Sequence, residues 1–125
     1  IIIGAGAAGS KAALAAPALG LKTLIVEQAF VGGTCVNVGC IPTKYLLGAT
    51  AAIPMLAAQK RLKNLSGDIT ADLPGIQERK NRYIKGLRSA LEKSFKDAGV
   101  EHVHGKALFT GPKSLKITPG EGEAF

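Results

Sequence analysis

Three β-branched residues, Ile1-Ile2-Ile3, open the chain with no polar position among them, the pattern of a strand buried on both faces of a parallel sheet. Glycine interrupts at once in Gly4-Ala5-Gly6-Ala7-Ala8-Gly9, and an alanine-rich helix is predicted from there to about Leu19, with Gly20 as its stop. Pro17 would cost about 3 kcal/mol in a helix interior and free the carbonyl of Ala13, so the helix is expected to kink or end early. Lys22 to Val26 alternates polar and apolar positions and ends in Glu27, a second strand. Tyr45 to Leu62 is rich in alanine and leucine, and Gly48 and Pro54 within it predict a kinked helix. Asn64, Ser66, Gly67 and Asp68 mark a loop over 64–70, and Asp72 with Pro74 marks the next helix start.

From Ile76 the apolar positions Tyr83, Ile84, Leu87, Ala90, Leu91, Phe95 and Ala98 recur every three or four residues with charge opposite them, an amphipathic helix stopped at Gly99. Val100 and Val103, then Gly105-Lys106-Ala107-Leu108-Phe109, then Leu115-Lys116-Ile117 after Gly111-Pro112, predict two or three short strands joined by turns. The order is that of an α/β fold, a parallel sheet with flanking helices and a small β-meander. At 125 residues, 46% of them hydrophobic, there is room for one globular domain.

Charge changes this picture little. The net charge of +7 comes largely from Lys60 to Lys96, where ten Lys or Arg stand against four Asp or Glu. Those charges are read as a solvated helix face, because no aromatic ladder or recognition motif accompanies them and nucleic acid is not an expected partner. No uninterrupted apolar run reaches the about 18 residues of a membrane span, and no basic region precedes Ile1, so neither a membrane anchor nor a signal peptide is expected. A cytoplasmic location is the resulting expectation.

Candidate chemistry lies in three places. In the glycine segment, Gly4 allows a tight turn, Gly6 lets backbone N–H groups approach a pyrophosphate, and Gly9 lets the helix pack on the strand. Glu27, eighteen residues after Gly9, is placed to accept hydrogen bonds from an adenosine ribose, which favours FAD or NAD over NADP; the plain alternative is a surface glutamate at a strand end. The third place is Gly32-Gly33-Thr34-Cys35-Val36-Asn37-Val38-Gly39-Cys40-Ile41-Pro42-Thr43-Lys44, which holds both cysteines. Two thiols five positions apart point about 140° apart on a straight helix, and lie beyond the roughly 7 Å a disulfide spans, so a bridge requires a distorted helical start. Gly39 and Pro42 supply one, and a helix N-terminus with Lys44 nearby favours a thiolate. Free buried thiols or part of a metal site are the open alternatives. Zinc needs about four ligands, and His102 and His104 lie far off in sequence, so no metal site is expected. The two histidines themselves read as solvent-exposed strand residues.

The thirteen-residue segment GGTCVNVGCIPTK resembles the redox-active disulfide segment of the FAD-dependent pyridine nucleotide–disulfide oxidoreductases. The order strand, glycine motif, helix, strand, acid, cysteine segment, helices and a G-x-A-x-F strand is similar to that family's FAD domain across essentially the whole chain. The resemblance implies a Rossmann-like FAD-binding domain, partial over 1–125, carrying a redox-active disulfide. It implies that Cys40 is the charge-transfer thiolate against the flavin and Cys35 the interchange thiol that meets substrate. By the same resemblance Lys44 lies near the flavin N5 edge, Gly33 and Thr34 beside the FAD diphosphate, and Ala107 gives a backbone contact to adenine. The implied activity passes electrons from NAD(P)H through FAD to the Cys35–Cys40 disulfide and on to a small disulfide, of dihydrolipoamide or glutathione type, or to Hg(II). The family's NAD(P)H-binding and dimerisation domains, and the His–Glu pair that a homodimer partner contributes, are absent from these 125 residues. The chain is therefore expected to be an N-terminal fragment, inactive alone. The alternative from another class is a non-catalytic dinucleotide-binding module with structural cysteines.

Overall fold

The computed structural model describes residues 1–120. A short strand β1 (Ile2–Ile3) leads through the glycine segment into α1 (Ala7–Ala15), continued as a 3₁₀ turn over Ala16–Leu19. The α-helix ends two residues before Pro17, as the missing N–H requires, and Gly20 caps the 3₁₀ turn with φ 74°. Strand β2 (Leu24–Glu27) follows, then α2 (Gly33–Asn37), α3 (Cys40–Thr50), α4 (Ala52–Arg61), the long α5 (Leu73–Asp97), β3 (Glu101–Gly111) and β4 (Ser114–Pro119).

The strands form one sheet in the order β1-β2-β3-β4. β1 runs parallel to β2 with Ile2 opposite Ile25, and β2 parallel to β3 with Leu24 opposite Glu101 and Glu27 opposite His104. β3 then turns back into β4 as an antiparallel hairpin. The core lies where α1 and α5 cover the sheet: Ala5, Ala13, Ile25, Val31, Phe95 and Val100 are buried, with Ile2, Leu14, Leu91 and Ala98 packed on them. At the start of α5 the Asp72 carboxylate accepts from the Gly75 N–H at 3.0 Å, an N-cap ahead of a proline in the first turn.

Several expectations need correction. Val100 to Phe109 does not divide into separate strands: β3 is continuous over eleven residues, because its first half pairs with β2 and its second half with β4. Within the described residues the expected meander is this one hairpin. The break after the cysteine segment falls at Ala51 and not at Gly48, which sits inside α3; Pro54 occupies the first turn of α4, where its missing N–H costs nothing. His102 and His104 are half-buried, not exposed. The His104 Nε2 lies 3.0 Å from the Ala29 carbonyl oxygen, and the His102 ring lies against Phe95 with its Nε2 buried and without a hydrogen-bond partner among the described residues.

Averaged hydropathy also treats the chain differently from a count of uninterrupted apolar residues. The helical run Gly33–Arg61 is long and apolar enough in composition to cross a membrane, although little of it is buried. Its backbone is not one helix, since Val38 and Gly39 leave the helical region and α3 gives way to α4 at Ala51. In hydrocarbon each such break would leave peptide groups without partners.

Candidate functional site

The glycine loop between β1 and α1 is held from three sides. The Gly4 N–H donates to the Val26 carbonyl at 2.8 Å, extending the β1–β2 pairing into the loop. The Ala5 N–H donates to Glu27 Oε2 at 2.8 Å, and the Ala5 carbonyl accepts from Ser10 Oγ at 2.9 Å and from the Gly32 N–H at 2.7 Å. Helix and strand meet so closely that a Cβ on Gly9 would lie 1.9 Å from the Gly4 carbonyl oxygen, whereas a Cβ on Gly4 or Gly6 would meet nothing within 4 Å. The loop is tight toward the sheet and open on its outer side.

Glu27 is buried, 9% exposed, and is not a surface strand-end residue. Its second carboxylate oxygen, Oε1, accepts from the Ala29 N–H at 2.8 Å. A carboxylate has about four lone-pair sites, so each oxygen keeps capacity for a further donor. Beside it a cleft of about 210 Å³ is lined by Ile3, Gly4, Val26, Glu27, Gln28 and the Gly105–Ala107 segment of β3. Parallel pairing brings these strand ends together at the carboxyl edge of the sheet, where open α/β sheets take their ligands. Gly4, Glu27 and Ala107, far apart in sequence, thus share one cleft.

The cysteine segment docks directly on the glycine loop. Gly33 has φ +59°, and a Cβ there would lie 2.8 Å from the Gly6 Cα, so backbone meets backbone. Thr34 and Cys35 follow on α2; the chain breaks at Val38 and Gly39, and Cys40 opens α3. A Cβ on Gly39 would lie 2.9 Å from the Thr34 carbonyl oxygen, so only glycine lets α3 start this close to α2. Cys35 is half-buried, Cys40 exposed, and both are free thiols. The Cys35 thiol is pushed up by its hydrogen bond to the Cys40 sulfur, with burial and the charge of Cys40 acting the same way; the Cys40 backbone and Lys44 pull weakly against them. Lys44 lines a larger cleft of about 530 Å³ between α3, α4 and the start of α5, shared with Tyr45, Asp72 and Arg79. That cleft is the larger of the two, yet the glycine loop and the thiols lie outside its lining.

The direction at Cys35 has a measurable consequence. In the reduced protein, replacing Cys40 with alanine removes the dominant upward effects, so the pH profile for Cys35 alkylation is expected to move to lower pH. Iodoacetamide kinetics followed by peptide mass analysis would show it, and an unmoved or rising profile contradicts the pairing.

Three residues with no role expected from sequence complete the site. Asn37, buried at the end of α2, donates through Nδ2 to the carbonyls of Gly33 at 2.8 Å, Val31 at 3.1 Å and Phe30 at 3.4 Å. Its Oδ1 accepts from Arg88 Nε of α5, and the Arg88 guanidinium lies 3.7 Å over the Phe30 ring. Burial pushes the Arg88 guanidinium down, partly offset by Glu92. The signal for Arg88 was present in the pattern: it stands four after Ile84 and three before Leu91, on the apolar stripe, as does buried Lys80 between Ile76 and Ile84. These two depart from the solvated-face reading. Arg79, Arg82 and Lys93 follow it, each paired with a nearby acid at the surface.

A parallel sheet, a glycine loop at its carboxyl edge and a close thiol pair packed on that loop define a Rossmann-like dinucleotide-binding domain of the disulfide-reductase type. The family model described as pyridine nucleotide-disulphide oxidoreductase matches residues 1–124, and the chain belongs to that family. It is 36% identical over 123 residues to the mitochondrial dihydrolipoyl dehydrogenase of Caenorhabditis elegans, covering 98% of this chain and 25% of that protein. It is 37% identical over 126 residues to the dihydrolipoyl dehydrogenase of Trypanosoma brucei brucei, covering 98% and 26%. Among solved structures, the Cu(II) complex of RclA, a HOCl-induced flavoprotein disulfide reductase from Escherichia coli, superposes with TM-score 0.75 at 31% identity, covering 97% of this chain and 24% of RclA. The chain therefore spans about a quarter of the length of these relatives.

Proposed function

We propose that this chain is the FAD-binding, dithiol-bearing part of a flavoprotein disulfide oxidoreductase that draws electrons from NAD(P)H and reduces a small disulfide. The observation that carries the reading is the backbone contact between Gly33 and Gly6, which makes the phosphate-type loop and the thiol segment one body. The residues fit FAD. The loop is open at Gly4 and Gly6, Gly33 packs on Gly6 with Thr34 following it on α2, Glu27 keeps acceptor capacity for a ribose, and Ala107 lines the same cleft as Gly4 and Glu27. Lys44 is assigned to the flavin end, one turn beyond Cys40 on α3.

The chemistry asked of the chain is thiol–disulfide exchange. Cys35, once deprotonated, attacks one sulfur of the substrate and releases the first thiol; Cys40 then attacks Cys35, closing their disulfide and releasing the second thiol. Two electrons leave the pair and two protons end on the products. FAD, when bound, supplies the two electrons from reduced nicotinamide that return the pair to dithiol. Attack by Cys35 needs its thiolate, and its Cys40 partner acts against that form by raising the thiol, so a nearby general base would aid the step. A His–Glu pair from the partner subunit of a homodimer fits that need. The names of the relatives favour a dithiol–disulfide couple of the dihydrolipoyl type, its disulfide form being the one reduced, with Hg(II) or another thiophilic ion as the second substrate class, the Cu(II) complex of RclA being its support.

Anaerobic reductive titration of the intact protein tests the reading. A redox-active pair adds two electrons of capacity beyond the two that flavin takes. Uptake of two electrons only, with both thiols alkylatable throughout, would instead identify a dinucleotide-binding module with structural cysteines. A second prediction concerns Glu27→Ala, expected to weaken FAD binding by about 1 to 3 kcal/mol, the scale of lost charge-assisted hydrogen bonds. The Ala5 and Ala29 amides lose their acceptor as well, so the ligand-free protein should melt lower. Unchanged affinity in a fluorescence titration removes Glu27 from the cofactor site.

A further inference from the structure

Asn37 lies two residues after Cys35 and three before Cys40, and its carboxamide donates to the carbonyls of Phe30, Val31 and Gly33. A carboxamide has two orientations of similar shape and opposite polarity. Turned over, Asn37 would set its Oδ1 against three carbonyl oxygens. Arginine only donates, so Arg88 at Oδ1 forbids that orientation. The same guanidinium covers Phe30, the first residue of the turn that Asn37 closes. One side chain on α5 therefore holds both ends of the segment 30–37 that contains Cys35. Helix α5 packs against both α2, which carries Cys35, and α3, which carries Cys40.

We propose that Arg88 is a positioning residue for the Cys35–Cys40 pair: by fixing the Asn37 carboxamide and the Phe30 ring it holds α2 in the place from which the two sulfurs close. This rests on the reading that the pair cycles between dithiol and disulfide. Arg88 does not touch the reacting atoms. It acts on the closing equilibrium, in which two thiols and one glutathione disulfide give one protein disulfide and two glutathione thiols, the two protons leaving on glutathione. That equilibrium reads the effective concentration of one sulfur at the other, which falls when α2 is free to shift.

The test equilibrates the intact protein with glutathione mixtures, traps the thiols by alkylation and quantifies the Cys35–Cys40 disulfide by mass. Arg88→Met is expected to lower the equilibrium constant about tenfold, equivalent to about 30 mV for two electrons. Arg88→Lys keeps a donor for Asn37 without a planar cation over Phe30 and should fall between, about threefold down. Arg82→Met, which removes an exposed charge from the same helix, should leave the constant unchanged. A value within 1.5-fold of the unaltered protein for Arg88→Met, or for Arg88→Lys should the methionine variant not fold, overturns the proposal, as does an equal shift in Arg82→Met. NAD(P)H-driven disulfide reduction is measured in parallel. Its absence in the unaltered protein would sink the proposed function while the glutathione comparison still decides the role of Arg88.

Discussion

Cys40→Ser is expected to reduce NAD(P)H-driven disulfide reduction by the intact protein about 10³-fold or more, while FAD affinity stays within about threefold. The magnitude follows from what the oxygen cannot do: it forms no disulfide with Cys35, and losing one member of a catalytic unit costs about as much as losing the unit. FAD affinity should hold because Cys40 is exposed at the first position of α3, while Gly4, Glu27 and Ala107, proposed for the cofactor, line a cleft that does not include it. The spectrum separates the two cysteines. On reduction, a long-wavelength absorbance from thiolate beside flavin should survive in Cys35→Ser and vanish in Cys40→Ser. If the band persists without Cys40, or turnover is retained, the assignment of the two sulfurs is wrong.

Gly9→Ala should have the largest effect on stability, and Gly6→Ala is its control. The added methyl at residue 9 would lie 1.9 Å from the Gly4 carbonyl oxygen and 3.4 Å from Ile2 Cγ2, and neither neighbour is the free end of a flexible chain. Helix α1 must then lift from β1, carrying Ala13 and Leu14 out of the core they share with Ile2 and Ile25. Overpacking of this kind costs about 1 to 3 kcal/mol or more, a large share of the stability of a small domain. A methyl at residue 6 meets nothing within 4 Å, so Gly6→Ala should leave the ligand-free melting curve nearly in place and lower FAD affinity instead. Thermal melts with and without FAD distinguish the two. Equal melting curves for both variants would mean that α1 does not sit where the structure places it.

The order of strand, loop, helix, strand and acid at the start was legible because each is specified locally, but burial was not: β1 is an edge strand with Ile1 and Ile3 exposed instead of buried on both faces, and β2 buries Ile25, Val26 and Glu27 in succession instead of alternating. The Asp72 cap, also specified locally, was legible. The single long β3 was not, because its continuity depends on two different neighbours, β2 and β4, pairing with successive halves of it. The half-burial of His102 and His104 likewise depends on α5 and the end of β2 lying over them. The cysteine segment was recognisable as a pattern, yet Asn37 and Arg88 were not, since their bond spans fifty-one residues and becomes visible only when α5 crosses α2. Arg88 and Lys80 on an otherwise apolar stripe were the one available hint. Arithmetic of charge over the whole helix averaged it away.

The hydrogen bond from the Gly32 N–H to the Ala5 carbonyl bears on amide exchange. A turn on the way to a reactive thiol would ordinarily be among the first parts of a domain to open to solvent. Here its amide is locked to a loop that β1, β2 and α1 hold in place, so its exposure requires the separation of that whole unit. Deuterium should therefore enter at Gly32 as slowly as at Gly4, and a bound dinucleotide that quiets the loop would protect a peptide group twenty-seven residues further along the chain. The breathing of the thiol segment is then governed by the neighbouring glycine loop, distant in sequence, and by whatever occupies it.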